Sequence, residues 1–388
     1  MNMAAPTPVR SVYVHAPFCA RRCPYCDFAV QVRRTGDAVA WLEALRAELA
    51  FVRGEGLFRI EEPFSTLYVG GGTPSLLGAG AMAGLTALFG GRLLSREDLE
   101  WTAEANPESF TNEVARGWRA AGVNRLSLGV QTFHEPALRW MGRLHGSEGA
   151  RAAVAIARAA GLADVSVDLI FGLPARLGRS WRDDLERVLS LDVPHVSLYG
   201  LTVEPATPRG LAVREGREEP VDEERYREEF LAAAELLRAE GYEHYEVSNF
   251  ARPGHASRHN AAYWTGEAYL GLGNGAHSYA PPVRRWNHRA WDEYAGATAG
   301  GHGGEEGREV VGEDARRLEQ VWLGLRTSDG IPCTGLSERA RAVADAWASR
   351  GLARVEEGRV RLGLEGWLLL DRLAVELDTA QQAAAAVP

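Results

Sequence analysis

The chain has 388 residues, 46% hydrophobic and 24% charged, with 43 basic and 52 acidic side chains for a formal net charge of -9. That balance is ordinary for a globular protein of two or three domains and disfavours a nucleic-acid binder. All 43 basic residues are arginine, which excludes mechanisms built on an amine, such as a P-loop lysine or a lysine Schiff base.

Residues 1–9 read as a disordered tail without an apolar leader-like run. No uncharged apolar stretch is long enough to span a bilayer, so a cytoplasmic protein without an integral membrane segment is expected. Apolar, β-branched runs follow at 12–18, 66–72, 99–107, 125–133, 165–174 and 195–205, separated by amphipathic stretches such as 38–53 and 149–161. Strands alternating with helices, and apolar on both faces, predict a parallel sheet. The fold class is therefore α/β, an incomplete (β/α)6 barrel over 10–242, with a doubly wound sheet as the alternative. Residues 222–242 form the expected last barrel helix, and 243–295 an extension of different texture. The segment 296–311 is glycine-dense and reads as a flexible linker. Residues 312–378 suggest a small, mostly helical, winged-helix-like C-terminal domain, and 379–388 a second disordered tail.

Polar residues cluster where the apolar runs end, and in β/α barrels those C-terminal strand ends carry the chemistry. The first run gives way to Cys19-Ala-Arg-Arg-Cys23-Pro-Tyr-Cys26, a CxxxCxxC motif. Three thiolates on one loop can converge on a metal centre. Structural zinc needs four protein ligands, with His15 the candidate fourth. A [4Fe–4S] cluster held by only three cysteines leaves one iron open to a substrate. Both readings stand on the loop alone. Arg21 and Arg22 are expected to lower the thiol pKa values. The fourth cysteine, Cys333, lies outside every motif and reads as a buried structural residue.

The second run ends in Gly70-Gly71-Gly72-Thr73, where absent side chains let backbone approach a ligand closely. Glu104 and Asp168 are carboxylates in otherwise apolar strands, expensive to bury without a cationic or hydroxyl partner.

The cysteine motif with Tyr25 before its third cysteine resembles the radical S-adenosylmethionine (SAM) superfamily. GGGTPS (70–75), AEANPES (103–109), SLGVQTF (127–133), SVDLIFGLP (166–174) and HNAAYW (259–264) follow in order. Together these segments, over roughly 10–280, resemble the branch containing oxygen-independent coproporphyrinogen III oxidase and the HemW-like heme chaperones. The resemblance implies a [4Fe–4S] cluster on Cys19, Cys23 and Cys26, its open iron chelated by SAM, which one electron cleaves to methionine and a 5′-deoxyadenosyl radical. It also implies SAM contacts from Tyr13, Gly70, Gly71, Gly72, Thr73, Glu104, Gln131, Arg143 and Asp168, with Leu198 and Gly200 lining the adenine pocket. Arg139 is a rival to Arg143.

Two positions separate chaperone from oxidase. The oxidase pattern has a further cysteine two residues after the third, where this chain has Phe28. The HNxxYW motif, His259-Asn260-Ala-Ala-Tyr263-Trp264, is associated with heme in the chaperone branch. His259 is thus the candidate heme-iron ligand, with Tyr263 and Trp264 as flat apolar surface and Arg258 as a propionate partner. His255, His277 and His288 are nearby competitors. The implied function is a heme chaperone acting on acceptor hemoproteins, with an electron donor for its cluster. The alternative is the coproporphyrinogen III oxidase. A monomer or homodimer and a membrane-associated client are both compatible with this reading.

Overall fold

A computed structural model describes residues 5–95 and 97–385. The chain forms two compact units, Met1–Glu229 with Ala268–Glu309, and Phe230–Glu267 with Val310–Pro388. The division falls inside the helix Glu223–Ala239, rather than at the expected boundary after residue 242.

The first unit is built on six parallel strands: β1 (Ser11–Ala16), β2 (Thr66–Gly71), β3 (Glu100–Ala105), β4 (Arg125–Gln131), β5 (Asp164–Phe171) and β6 (His195–Gly200). They are hydrogen-bonded in chain order. The strand Tyr269–Leu272 adds to the other side of β1, also parallel. Antiparallel strands Val283–Asn287 and His277–Ala280 continue the sheet outward to Glu305–Val310. β1 and β6 do not pair with each other, so the barrel is incomplete, as the six β/α units predicted.

Each strand buries aliphatic residues against covering helices. In the helix Ala38–Glu55, Trp41, Leu45, Leu49 and Val52 share one face and are buried. Asp37 caps its start by accepting from the Ala40 N–H, and Gly56, at φ 80°, ends it. The Trp41 indole donates to the His15 carbonyl at 2.8 Å, tying this helix to β1. From the same helix, the buried Glu48 carboxylate accepts from Gly273 N–H (2.8 Å) and Tyr294 O–H (2.6 Å). Burial pushes Glu48 up to about 7, with those donors opposing the shift.

The expected linker at 296–311 is a correction. Its residues complete the helix Trp291–Ala299 and form the strand Glu305–Val310. Its glycines serve tight packing: a Cβ on Gly303 would lie 2.2 Å from Phe51, and one on Gly304 2.6 Å from Tyr294. The two expected tails are corrected in part. Thr7–Val9 pairs in parallel with Phe58–Ile60, and the helix Leu370–Ala385 runs through most of the C-terminal tail. Residues 1–4 and 386–388 lie outside the described residues.

In the second unit, helices Glu313–Leu325, Glu338–Ser349 and Leu370–Ala385 pack with a three-stranded sheet ordered Ile331–Pro332, Arg359–Leu362, Ala353–Glu356. His244, from the hairpin Glu243–Glu246/Asn249–Ala251, stacks on Phe250 at 3.8 Å and meets the edge of Trp367 at 4.4 Å. Burial pulls its pKa down to about 3, so it packs as a neutral aromatic. Cys333 is half-buried and lines a surface pocket of about 390 Å³ with Arg341 and Asp345, not a closed core. Among the described residues, no helix is long and apolar enough to cross a membrane.

Arg285 is 1% exposed, pairs with the half-buried Glu55, lies 3.8 Å from Glu305 and stacks over Phe58 at 5.1 Å. Arg285→Met leaves the half-buried Glu55 to the more distant Arg308, at 3.5 Å. The expected loss is about 3 kcal/mol in urea unfolding.

Candidate functional site

Alternate residues of a strand face the same side, and the parallel register stacks them across the sheet. Tyr13 lies opposite Tyr68, their rings stacked at 6.1 Å. His15 lies opposite Gly70, Glu104 opposite Ser127, and Ser127 opposite Ser166. One step along, Gly129 lies opposite Asp168, and Asp168 opposite Ser197. The barrel interior therefore carries a polar stripe inside apolar walls.

Two carboxylates anchor that stripe. Glu104 accepts from Tyr68 O–H at 2.7 Å and from Gly71 N–H at 3.0 Å. Burial pushes it up to about 7, and repulsion from Asp168 adds to the shift while the two donors oppose it. Asp168 accepts from Ser127 at 2.9 Å and Ser166 at 3.3 Å. Its pKa is also raised by burial, against hydrogen bonds from Ser197 and Ser127 and the charge of Arg125. A cationic ligand would relieve both groups.

The glycines answer to protein atoms. A Cβ on Gly70 would lie 2.6 Å from Glu104 Oε1, and one on Gly71, at φ 105°, 2.3 Å from the His15 ring. Gly72 donates to the Ala16 carbonyl and Thr73 to that of Phe18, both at 2.8 Å, which docks this turn under the cysteine loop. The Thr73 hydroxyl lies 3.4 Å from Cys19 Sγ and accepts from Asn106 Nδ2 at 3.2 Å.

All three loop cysteines are half-buried. Burial pushes Cys19 up to about 11, with Thr73 opposing and Cys26 and Cys23 adding. Cys26 is raised for the same main reason. Arg22 lowers Cys26 as expected, but both arginines are exposed and burial outweighs that effect, so the net shift is upward. Clustered thiols that resist ionisation suit a cationic iron or zinc centre, which supplies the missing counter-charge. Among the described residues, no three His, Cys, Asp or Glu side chains are already gathered as metal ligands. His15 is committed elsewhere, its Nδ1 2.9 Å from Tyr13 Oη and its Nε2 2.9 Å from the Ala29 carbonyl. It does not serve as a fourth zinc ligand in this arrangement.

Arg143 is half-buried beside the loop, bonded to Asn106 Oδ1 at 2.6 Å and to the Gly129 carbonyl. It also interacts with Cys23 and Tyr25, and its buried Nε has no hydrogen-bond partner among the described residues. Its rival Arg139 is exposed and pairs with Glu135 at 3.5 Å. Gln131 ends β4 at a bulge with φ 71°, left-handed for a non-glycine residue. A Cβ on Gly129 would meet Gln131 Nε2 at 3.0 Å, Asn106 Oδ1 at 3.1 Å and Arg143 Nη2 at 3.2 Å, so these three polar groups converge.

Leu198 and Gly200 share the other parity of β6. Ser197 bonds Asp168 inside the barrel, so Leu198 faces the helices, and a Cβ on Gly200 would strike Tyr226 at 2.1 Å. The neighbouring side chains Ser197 and Tyr199 share the interior parity.

His259 belongs to the second unit, in the helix Arg258–Trp264 capped by Ser257. It is 1% exposed, with Nε2 2.9 Å from Tyr263 Oη. The Trp264 indole stacks on the Arg326 guanidinium at 4.3 Å. Arg258 is exposed, His277 stacks on Trp286, and His288 lies 3.8 Å from Glu293.

The family model for the radical SAM superfamily matches residues 13–188. The heme chaperone HemW of Mycobacterium tuberculosis is 37% identical over 93% of this chain and 92% of its own length. The chain belongs to the HemW family of radical SAM proteins. Heme chaperone HemW of Lactococcus lactis is 36% identical over 83% of this chain and 82% of its own length. A solved coproporphyrinogen III oxidase (HemN) from Escherichia coli, a radical SAM enzyme, shares the fold with TM-score 0.78 at 24% identity, covering 96% of this chain and 91% of that one.

Several residues of this HemW-family site were not singled out from the sequence. Asn106 stood in the AEANPES segment as a neighbour of Glu104, yet it bonds both Thr73 and Arg143. Asn274, in GNGAHSY, donates to the Ala29 carbonyl at 2.8 Å and so holds the end of the cysteine loop, with Arg289 pairing Asp27 at 3.0 Å. Only a polar residue between two glycines, in Gly273-Asn274-Gly275, hinted at that role.

Gly70→Ala sets a methyl against Glu104 and Tyr68 and is expected to destabilise by about 2 kcal/mol. Gly54→Ala, on an open helix position with nothing within 4 Å, is expected to stabilise by about 0.5 kcal/mol. Thermal unfolding of both variants checks the contrast.

Proposed function

We propose that this protein is a heme chaperone that holds a [4Fe–4S] cluster through Cys19, Cys23 and Cys26, binds SAM at the strand ends of the barrel, binds heme through His259, and passes it to acceptor hemoproteins. Phe28 carries the reading. It stands where the coproporphyrinogen oxidase pattern has a further thiol, its side chain is 59% exposed, and its N–H donates to Cys26 Sγ at 3.4 Å. With membership of the HemW family, that position favours the chaperone over the oxidase.

The residues present fit the proposed cofactors. When bound, the cluster supplies one electron to SAM. Glu104 and Asp168 offer negative charge to an ammonium or hydrogen bonds to a ribose, and the unpartnered Nε of Arg143 offers a donor to a carboxylate. Tyr13 and Tyr68 give the interior a flat aromatic wall. In the second unit, His259 supplies the imidazole, and its Nε2 must leave Tyr263 to ligate iron. An electron donor for the cluster, cytoplasmic location, and a monomeric or homodimeric state belong to the same reading.

Anaerobic reconstitution with iron and sulfide, followed by heme titration, tests it. The expected results are charge-transfer absorbance near roughly 400 nm that Cys19→Ala abolishes, and a Soret band whose affinity falls about tenfold in His259→Ala. Conversion of coproporphyrinogen III to protoporphyrinogen IX would instead establish the oxidase.

SAM affinity carries its own pH signature. Glu104 ionises around pH 7, and only its ionised form attracts an ammonium. Affinity is therefore expected to rise from roughly pH 6 as Glu104 ionises and to fall again above about pH 8 as the α-amine of SAM loses its proton. Glu104→Gln removes that rise, measured by equilibrium dialysis.

A further inference from the structure

The strand β4 ends in an unusual turn. The Val130 carbonyl accepts from Thr132 N–H at 2.9 Å across Gln131, whose φ is 71°. This is a γ-turn with a left-handed central residue, a rare and strained geometry. Such strain persists only where the surroundings over-determine it. Gln131 is also one of the groups converging with Asn106 and Arg143 beside Gly129.

Two buried side chains grip the turn from either side. On one, His145 Nε2 donates to the same Val130 carbonyl at 3.1 Å, while its Nδ1 faces Glu108 Oε2 at 3.2 Å. His145 sits two residues beyond Arg143, so one short loop delivers both groups to the site. On the other, Asp184 Oδ2 accepts from Thr132 Oγ1 at 2.6 Å and Oδ1 from Phe133 N–H at 2.8 Å. Asp184 is backed by Arg179 Nη1 at 3.4 Å, and Arg179 also donates to the Ile170 carbonyl (2.9 Å) and to Glu229 (2.5 Å). Asp184 is 2%, His145 6% and Arg179 5% exposed, so none of these charged or polar groups is placed for solvent. A buried carboxylate spending both oxygens on the two residues after Gln131 is a specific arrangement, because a core position there would be filled more simply by an aliphatic side chain.

We propose that His145 and Asp184 are positioning residues that hold the Gln131 γ-turn, and through it the Gln131 side chain, in the geometry that receives SAM. The inference rests on the SAM-binding reading above. Neither residue touches the cofactor; each acts through the backbone on one side of Gln131. Relaxing the turn to an extended strand end would swing Gln131 away from Asn106 and Arg143.

The test measures the SAM dissociation constant of the reconstituted full-length protein by equilibrium dialysis, for Asp184→Ala, His145→Gln, Gln131→Ala and the two doubles with Gln131→Ala. Each single substitution at 184 or 145 is expected to weaken SAM binding about tenfold. In the Gln131→Ala background, the same substitutions are expected to change affinity less than about twofold, since they act through a side chain already removed. That non-additivity supports the proposal, because a purely structural role gives the same penalty in both backgrounds. Unchanged affinity in His145→Gln, or equal penalties with and without Gln131, overturns it. If Asp184→Ala does not fold, the His145→Gln cycle decides alone. Wild-type protein that fails to bind SAM overturns the SAM reading itself, a result separate from a failed cycle in protein that binds.

Discussion

Burying two carboxylates inside a sheet of apolar strands is the constraint on which the site depends. An isolated charge there is expensive, so each carboxylate must be met by donors. Glu104 finds Tyr68 and the Gly71 N–H, and Asp168 finds serines on β4, β5 and β6. The glycine turn follows from the same requirement, since a side chain on Gly70 would occupy the space of Glu104. That turn in turn docks the cysteine loop through Gly72 and Thr73. Carboxylates, glycines and cysteines are thus one connected arrangement.

Charge around the loop is decided by depth more than by number. Arg21 and Arg22 lie between the cysteines in sequence but face solvent, where their fields are screened. Arg143 comes from more than a hundred residues away, is half-buried, and reaches Cys23, Asn106 and Gly129. In a chain whose only basic side chain is arginine, the planar guanidinium also fills structural roles. Arg285 pairs with Glu55 in the sheet extension, Arg179 backs Asp184, and Arg326 stacks on Trp264 in the second unit.

The second unit solves a different problem. His244 is held neutral by burial between Phe250 and Trp367, as packing. His259 is equally enclosed, with Nε2 on the Tyr263 hydroxyl one helical turn on, whereas His244 Nε2 lies 3.2 Å from the Val247 carbonyl.

The parallel order of β1 to β6, the cysteine motif, and the positions of Glu104, Gln131 and Asp168 within or near the ends of their strands were legible from residue order alone. Apolar periodicity and local spacing encode them within a few residues of chain. The glycine-dense segment at 296–311 was not, because whether glycine means freedom or tight packing depends on neighbours such as Phe51 and Tyr294. The inward parity of β6 was not legible for a similar reason: it is settled by the sheet, where Ser197 and not Leu198 meets Asp168. By itself the sequence determined which chemical groups this protein carries and on which strand ends they stand. Only the tertiary structure decided which are buried, which face inward and which partner each one meets, because hydrogen bonding and desolvation act between residues distant in the chain.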